Sequence, residues 1–211
     1  MRTQEQVNEI VRLLMEEYPL ADCTLDWNKA YELLFSVRLA AQCTDERVNK
    51  ITPALFARFP TLEAFAEADV AEVEEYVRSC GFYHSKARDI VACANVLLEK
   101  YGGELPRTME ELTALPGVGR KTANLILGDV FKIPGSTVVD THCIRISNLL
   151  GLVDDLKDPV KIEMELRKIL PPEHSSDFCH CIVLHGRAVC IARRPECERC
   201  CVRHLCRHYS G

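Results

Sequence analysis

Four cysteines carry the strongest chemical signal in the chain. Cys190, Cys197, Cys200 and Cys206 follow the spacing C-x6-C-x2-C-x5-C, which places four thiols within 17 consecutive residues. A set that compact can wrap one metal centre, and tetrahedrally disposed thiolates suit either a zinc ion or a [4Fe–4S] cube. Spacing alone does not choose between them. The plain alternative is four buried structural cysteines, and Cys201 reads as a bystander beside a ligand. The loop 191–196 holds Arg193 and Arg194, which a bound metal would shape into a basic surface suited to DNA phosphates.

A second constellation is Leu115-Pro116-Gly117-Val118-Gly119-Arg120-Lys121-Thr122-Ala123. Glycines let a backbone approach a partner closely, and the helix start that follows offers unpaired N–H groups to an anion. The G-x-x-x-x-G-K spacing of a nucleotide-binding loop is absent, so ATP is discounted. A tight helix–helix turn is the bland reading, and Lys121 alone reads as a solvated surface lysine. In Val138-Val139-Asp140-Thr141-His142, Asp140 stands before a run to Leu150 that Gly151 stops. Its default role is a helix N-cap, and a cap can also serve chemistry when its carboxylate faces a reaction centre.

These groups must be positioned by helices, because the apolar period is helical nearly everywhere. Val7, Ile10, Val11, Leu14 and Tyr18 form one stripe, and Ala30, Leu33, Leu34 and Val37 another. A third joins Ala87, Ile90, Val91, Ala94, Leu97, Leu98 and Tyr101. Thr108 with Glu111 makes a capping-box pattern that opens a helix toward Leu115, and Leu125, Ile126 and Val130 continue a stripe beyond the hairpin. Asp158-Pro159 reads as a cap followed by proline at the first helical position, for a helix that buries Ile162, Leu166 and Leu170 before Pro171-Pro172. Ser136–Val139 is the nearest approach to strand alternation and is too short. The expectation is an all-α protein of roughly ten short helices, with one or two cores.

With 47% hydrophobic and 27% charged residues, the 211-residue chain has an ordinary globular balance. No apolar run approaches the ~20 residues that span a bilayer, and Glu5, Glu9, Glu16 and Glu17 argue against a secretory signal at the start. No membrane association is expected. Twelve cysteines in a reducing compartment point to metal binding or catalysis rather than disulfides. The net charge of −5 argues against nucleic acid by itself, but from His185 onward six arginines face Glu196 and Glu198, a net of +4 on a body of −9. A basic tail on an acidic body can still meet a polyanion, because the local field governs the encounter.

Taken in this order, the motifs resemble the endonuclease III family of DNA glycosylases. That family has a helix–hairpin–helix of the form LPGVGRKTA, then VDTH, then a C-terminal C-x6-C-x2-C-x5-C loop. Leu184-His185-Gly186-Arg187 precedes the first of those cysteines, Ala41–Lys50 resembles the family's SAQxTDxxVN segment, and Gly81–Ala87 resembles its G-x-Y-x-S-K-A loop. The likeness covers nearly the whole chain and implies [4Fe–4S] as the metal group. It also implies two helical domains flanking a DNA-binding cleft. A six-helix barrel would span about 23–135, with the helix–hairpin–helix at about 108–130, and 1–22 with 136–211 would form the cluster domain.

The resemblance further implies a bifunctional N-glycosylase and AP lyase of base excision repair, acting mainly on oxidised pyrimidines in duplex DNA. A base inside a duplex hides its glycosidic bond, so the nucleotide must be flipped out. Lys121 would attack C1′, displace the base and leave a Schiff base that promotes β-elimination. An ordinary lysine amine, pKa ~10.4, is protonated at neutral pH, so its proton must first be removed. Asp140 would assist that removal and stabilise positive charge on the sugar. Relatives specific for mispaired adenine lack a lysine at this position. Gln42 would fill the hole left by the flipped nucleotide and Phe82 would wedge beside it, at an unstacking cost of a few kcal/mol. Without the family, these two read as a helix-end glutamine and a core phenylalanine.

Gly117, Gly119, Arg120 and Thr122 would hold phosphate at the hairpin, and His142 would lie near the site, a capping or core role being its alternative. Phe82 stands where leucine is common, Arg38 interrupts the apolar helix before Gln42, and Cys43 and Cys143 directly follow Gln42 and His142. These departures bear on substrate range, not on reaction class. A non-catalytic lesion-binding module would normally lack Lys121 or Asp140, and a ferredoxin-like carrier needs neither hairpin nor Lys/Asp pair. A cytoplasmic, bacterial, nucleoid-associated monomer is expected.

Overall fold

The structure, a computed structural model, describes residues 2–210. Twelve α-helices run in chain order among those residues, with no strand: α1 (Gln4–Glu17), α2 (Ala30–Ala40), α3 (Asp45–Arg58), α4 (Leu62–Ala66), α5 (Val70–Val77), α6 (Tyr83–Tyr101), α7 (Met109–Thr113), α8 (Arg120–Leu125), α9 (Thr141–Leu150), α10 (Pro159–Ile169), α11 (Ser175–Ala188) and α12 (Arg207–Ser210). The all-α expectation holds. Two compact units divide the chain, one from Thr24 to Val130 and the other from the described residues up to Cys23 together with those from Phe131 onward.

The first unit is centred on α6, which packs against α2, α4 and α5. Its Ala87, Ile90, Ala94 and Leu97 are buried at the helical interval the sequence shows. At the heart of the unit lies Phe65 of α4, fully buried and ringed by Tyr31, Phe35, Phe56 and Phe59. Four of its ring partners lie 5.1–6.4 Å away, mostly in tilted or edge-to-face arrangements that suit aromatic quadrupoles. Seven α-helices lie in this unit, α2 to α8, and the Asp69 carboxylate accepts the Ala71 N–H and so starts α5 separately from the one-turn α4. The stripe after the hairpin also differs from a plain helix. Ile126–Val130 forms a π turn in which Ile126, Leu127, Gly128 and Asp129 are all buried, so no single face is selected.

In the second unit α11 packs against α1 and α9. α1 starts on a reciprocal cap: Thr3 Oγ1 accepts the Gln6 N–H and Gln6 Oε1 accepts the Thr3 N–H, at 3.3 and 3.1 Å. It buries Val7, Ile10, Val11 and Leu14, as their spacing predicts. α10 begins at Pro159 with Asp158 accepting the Lys161 N–H at 2.8 Å, and its Ile162 and Leu166 join the same core as Phe178 and Ile182 of α11.

Phe65 fixes the first unit, so Phe65→Ala is expected to cost about 3–5 kcal/mol. A lowered urea midpoint with unchanged slope is the outcome that checks it.

Candidate functional site

Within the 24–130 unit the hairpin is held from below. The Thr108 hydroxyl accepts the Glu111 N–H at 3.2 Å and donates to the Glu111 carboxylate at 2.7 Å, which starts α7. Leu112 and Leu115 are buried, and the Val118 N–H closes the turn on the Leu115 carbonyl at 3.2 Å. Gly117 has φ of +73°, a conformation that favours glycine. Gly119 differs, with φ of −94° and nothing within 4 Å of where a Cβ would stand. The chain's own packing therefore does not require glycine at 119, and the open space is what close approach of a partner needs. α8 starts on Gly119 without a side-chain cap. Lys121 is exposed on its first turn, with Arg120 and Thr122 half-buried beside it and Ala123 and Asn124 facing the core.

Gln42 and Phe82, far apart in sequence, stand on adjoining loops of the same unit. A Cβ on Gly81 would lie 4.0 Å from the Gln42 carbonyl oxygen. Both residues occupy the left-handed region, φ of +56° and +58°, which is uncommon for side-chain-bearing residues and concentrates at functional sites. Phe82 is 69% exposed, so the core-phenylalanine alternative does not hold. Lys86 ties the two loops together. Its side chain is buried, its Nζ donates to the Leu39 carbonyl at 2.8 Å near the end of α2, and burial lowers its pKa.

In the other unit Asp140 caps α9, its Oδ1 accepting the Cys143 N–H at 2.7 Å, and Gly151 ends the helix with φ of +77°. His142 is half-buried, with Nδ1 3.3 Å from Arg145 Nη2. Gly186 leaves room for that imidazole, because a Cβ there would collide with His142 Nδ1. Arg145 also donates to the Cys190 carbonyl at 2.6 Å, linking the His142 helix to the first of the four cysteines.

Cys190, Cys197, Cys200 and Cys206 all line one cavity enclosing about 400 Å³ of empty space, counting its open mouth. Ile146, Leu150 and Val189 supply apolar wall. Among the described residues no trio of His, Cys, Asp or Glu is drawn close enough to grip a single metal ion. A lone zinc would need its sulphurs about 2.3 Å from one point, whereas a cube presents a separate iron to each thiolate. Four thiols lining one cavity are a donor set that fits the larger group. Burial pushes the Cys200 thiol up to about 12 and raises that of Cys190, so these thiols become thiolates only against the positive charge of a metal. His185 Nε2 stands 3.4 Å from Cys200 Sγ and its Nδ1 3.0 Å from the Tyr18 hydroxyl, while burial lowers its pKa to about 4. A neutral imidazole there can donate from Nε2 and accept from Tyr18.

The chain matches the HhH-GPD superfamily base excision DNA repair protein family over residues 35–172. It is 46% identical to the endonuclease III of Synechocystis sp. over 96% of this chain and 92% of that one. The chain belongs to the endonuclease III family. The enzyme of that name from Escherichia coli K12 is 40% identical, over 95% of this chain and 94% of its own. A solved non-covalent endonuclease III–DNA complex superposes with a TM-score of 0.91 at 39% identity, covering 100% of this chain and 98% of its counterpart. A trapped endonuclease III–DNA covalent intermediate matches equally well, at 0.91 and 39%.

Within this family member, sequence reasoning overlooked Arg145, the partner of Arg38 and the buried contact of Lys86, which it read only as part of the Gly81–Ala87 loop motif. Arg145 follows an apolar neighbour at no diagnostic spacing, and only the interruption of an apolar stripe marked Arg38. Asp140 has a cap role separable from its charge. Asp140→Ala is expected to lower stability by about 1 kcal/mol while Asp140→Asn changes it by only a few tenths, read from urea denaturation of the two variants.

Proposed function

We propose that this chain is a bifunctional DNA N-glycosylase and AP lyase that removes oxidised pyrimidines from duplex DNA, with Lys121 as nucleophile. The observation that carries the reading is Lys121 itself, exposed at the start of α8 directly after the hairpin, in a family member with a DNA-bound covalent intermediate among its relatives. The neutral Lys121 amine attacks C1′, the C1′–base bond breaks, and the base leaves with the electron pair and takes up a proton. Opening of the sugar ring gives the imine. Loss of a C2′ proton then expels the 3′ phosphate. Dividing the reaction in this way replaces one hard step by easier ones.

Asp140 takes the Lys121 proton and offsets positive charge on the sugar. Its cap bond uses Oδ1, so Oδ2 is the oxygen outside the cap. Gln42 and Phe82 enter the space of the extruded nucleotide, which their exposure on adjoining left-handed turns supports. Gly117, Gly119, Arg120 and Thr122 hold phosphate, and His142 stands by the site. These backbone contacts position the duplex without reading its sequence. Cys190, Cys197, Cys200 and Cys206 would hold a [4Fe–4S] cluster, and their bonds to it would brace the loop bearing Arg193 and Arg194. No helix among the described residues is long and apolar enough to cross a membrane. The protein acts as a monomer on damaged or abasic duplex DNA in the bacterial cytoplasm, at the nucleoid.

Borohydride trapping on a duplex with one thymine glycol tests the nucleophile. A covalent adduct with wild type and none with Lys121→Gln is the expected result. Base release without an adduct would mean a water-using glycosylase, and binding without either would mean a lesion-binding module. Asp140→Asn is expected to lower the single-turnover rate by about a hundredfold or more. Brown absorbance with acid-labile sulphide checks the cluster, and a colourless zinc protein would overturn that assignment alone.

A further inference from the structure

Arg38 and Asp89 form the floor of the hairpin. Arg38 donates from Nε and Nη2 to the same carboxylate oxygen, Asp89 Oδ2, at 2.7 and 2.6 Å, joining α2 to α6. A Cβ on Gly117 would stand 2.8 Å from Arg38 Nε, 2.8 Å from Asp89 Oδ2 and 2.9 Å from Asp89 Cβ. The pair thus fills the volume that a side chain on the turn would need. Its two members are partly buried, at 22% and 29% exposed, so water screens their charges only in part. Removing one partner leaves the other charge unpaired in that half-buried place, so folding is checked alongside binding. Its place in the fold gives it another consequence.

A carboxylate directly under a turn that receives a phosphate opposes the incoming anion, because like charges a few ångströms apart repel. Arg38 removes that opposition. On the reading that the hairpin holds DNA phosphate, we infer that Arg38 is a positioning residue for DNA binding that acts through Asp89, cancelling the carboxylate beneath Gly117 and holding the turn at the height where it meets the backbone. Asp89, in turn, restrains a cation that would otherwise add to the attraction. The two halves of one ion pair therefore act on DNA with opposite signs. A pair that merely glues α2 to α6 would make both single variants lose affinity.

Three variants decide the matter: Arg38→Leu, Asp89→Asn and the double variant, each measured on a duplex with one abasic site. Arg38→Leu is expected to raise KM about tenfold, with the single-turnover strand-cleavage rate at saturating DNA within about twofold of wild type. Asp89→Asn is expected to hold or lower KM and to steepen the dependence of log affinity on log salt by up to about one. The double variant is expected to return to within about threefold of wild type, because no unpaired charge remains. If Arg38→Leu does not fold, Asp89→Asn alone carries the sign test. An affinity loss in Asp89→Asn matching that in Arg38→Leu overturns the inference, as does an unchanged KM in Arg38→Leu or a loss confined to its single-turnover rate. Wild type that traps with borohydride while these signs fail leaves the function standing and removes only the role of Arg38. Wild type that neither binds nor traps the duplex removes both.

Discussion

A helix start leaves backbone N–H groups that something must accept, and the arrangement of this protein follows from how that demand is met. Thr3, Thr44, Thr61, Asp69, Thr108, Asp140 and Asp158 each turn a side-chain oxygen onto the helix that follows. α2 has no such cap and uses Glu32 instead, whose carboxylate accepts the Asn28 and Lys29 N–H groups. α6, α8 and α11 start on Phe82, Gly119 and His174, with no side-chain cap at any of them. The first two bear an outward aromatic ring and the exposed lysine. Asp140 belongs to the capped group by its Oδ1 bond, and the proposed chemistry would draw on the same carboxylate. Capping there fixes the carboxylate's direction before any substrate arrives, a form of pre-organisation.

The four-cysteine loop depends on a similar division of labour. Burial disfavours the thiolate at Cys190 and Cys200, and a metal bound there would supply the charge that offsets it. Around it the protein has placed groups that can only donate or pass on hydrogen bonds. Arg145 reaches the Cys190 carbonyl, and His185 bridges Cys200 and Tyr18. Such outer groups orient ligands in metal sites generally. Here they also connect the loop to α9 and to the end of α1.

What the sequence revealed was whatever has a short period or a fixed neighbour. The caps of α7, α9 and α10 are legible because an acceptor and its amide lie two or three residues apart, and the α6 stripe because a buried helix face recurs each turn. The hairpin and the cysteine spacing are legible for the same reason. The burial of Lys86 was not, because a lysine within an amphipathic helix ordinarily points to water, and its acceptor on Leu39 lies 47 positions away. The Arg38–Asp89 pair spans 51 positions and leaves no periodic trace. The π turn escaped notice because it buries residues all round. Four thiols at that spacing can close on either an ion or a cluster, so spacing alone leaves that choice open and the resemblance implies the cluster.

The core of the second unit is assembled from residues on both sides of the first. α1 precedes the 24–130 unit in the chain, while its packing partner α11 and the four cysteines follow it. During synthesis the ribosome therefore delivers Val7, Ile10, Val11 and Leu14 long before anything exists to cover them. The intervening unit, built from contacts within its own span, is free to fold while α1 waits. An apolar helix face held open over that interval is the moment when the nascent protein is most exposed to chaperones and to aggregation. The four-cysteine set is complete only later still, once Cys206 has emerged.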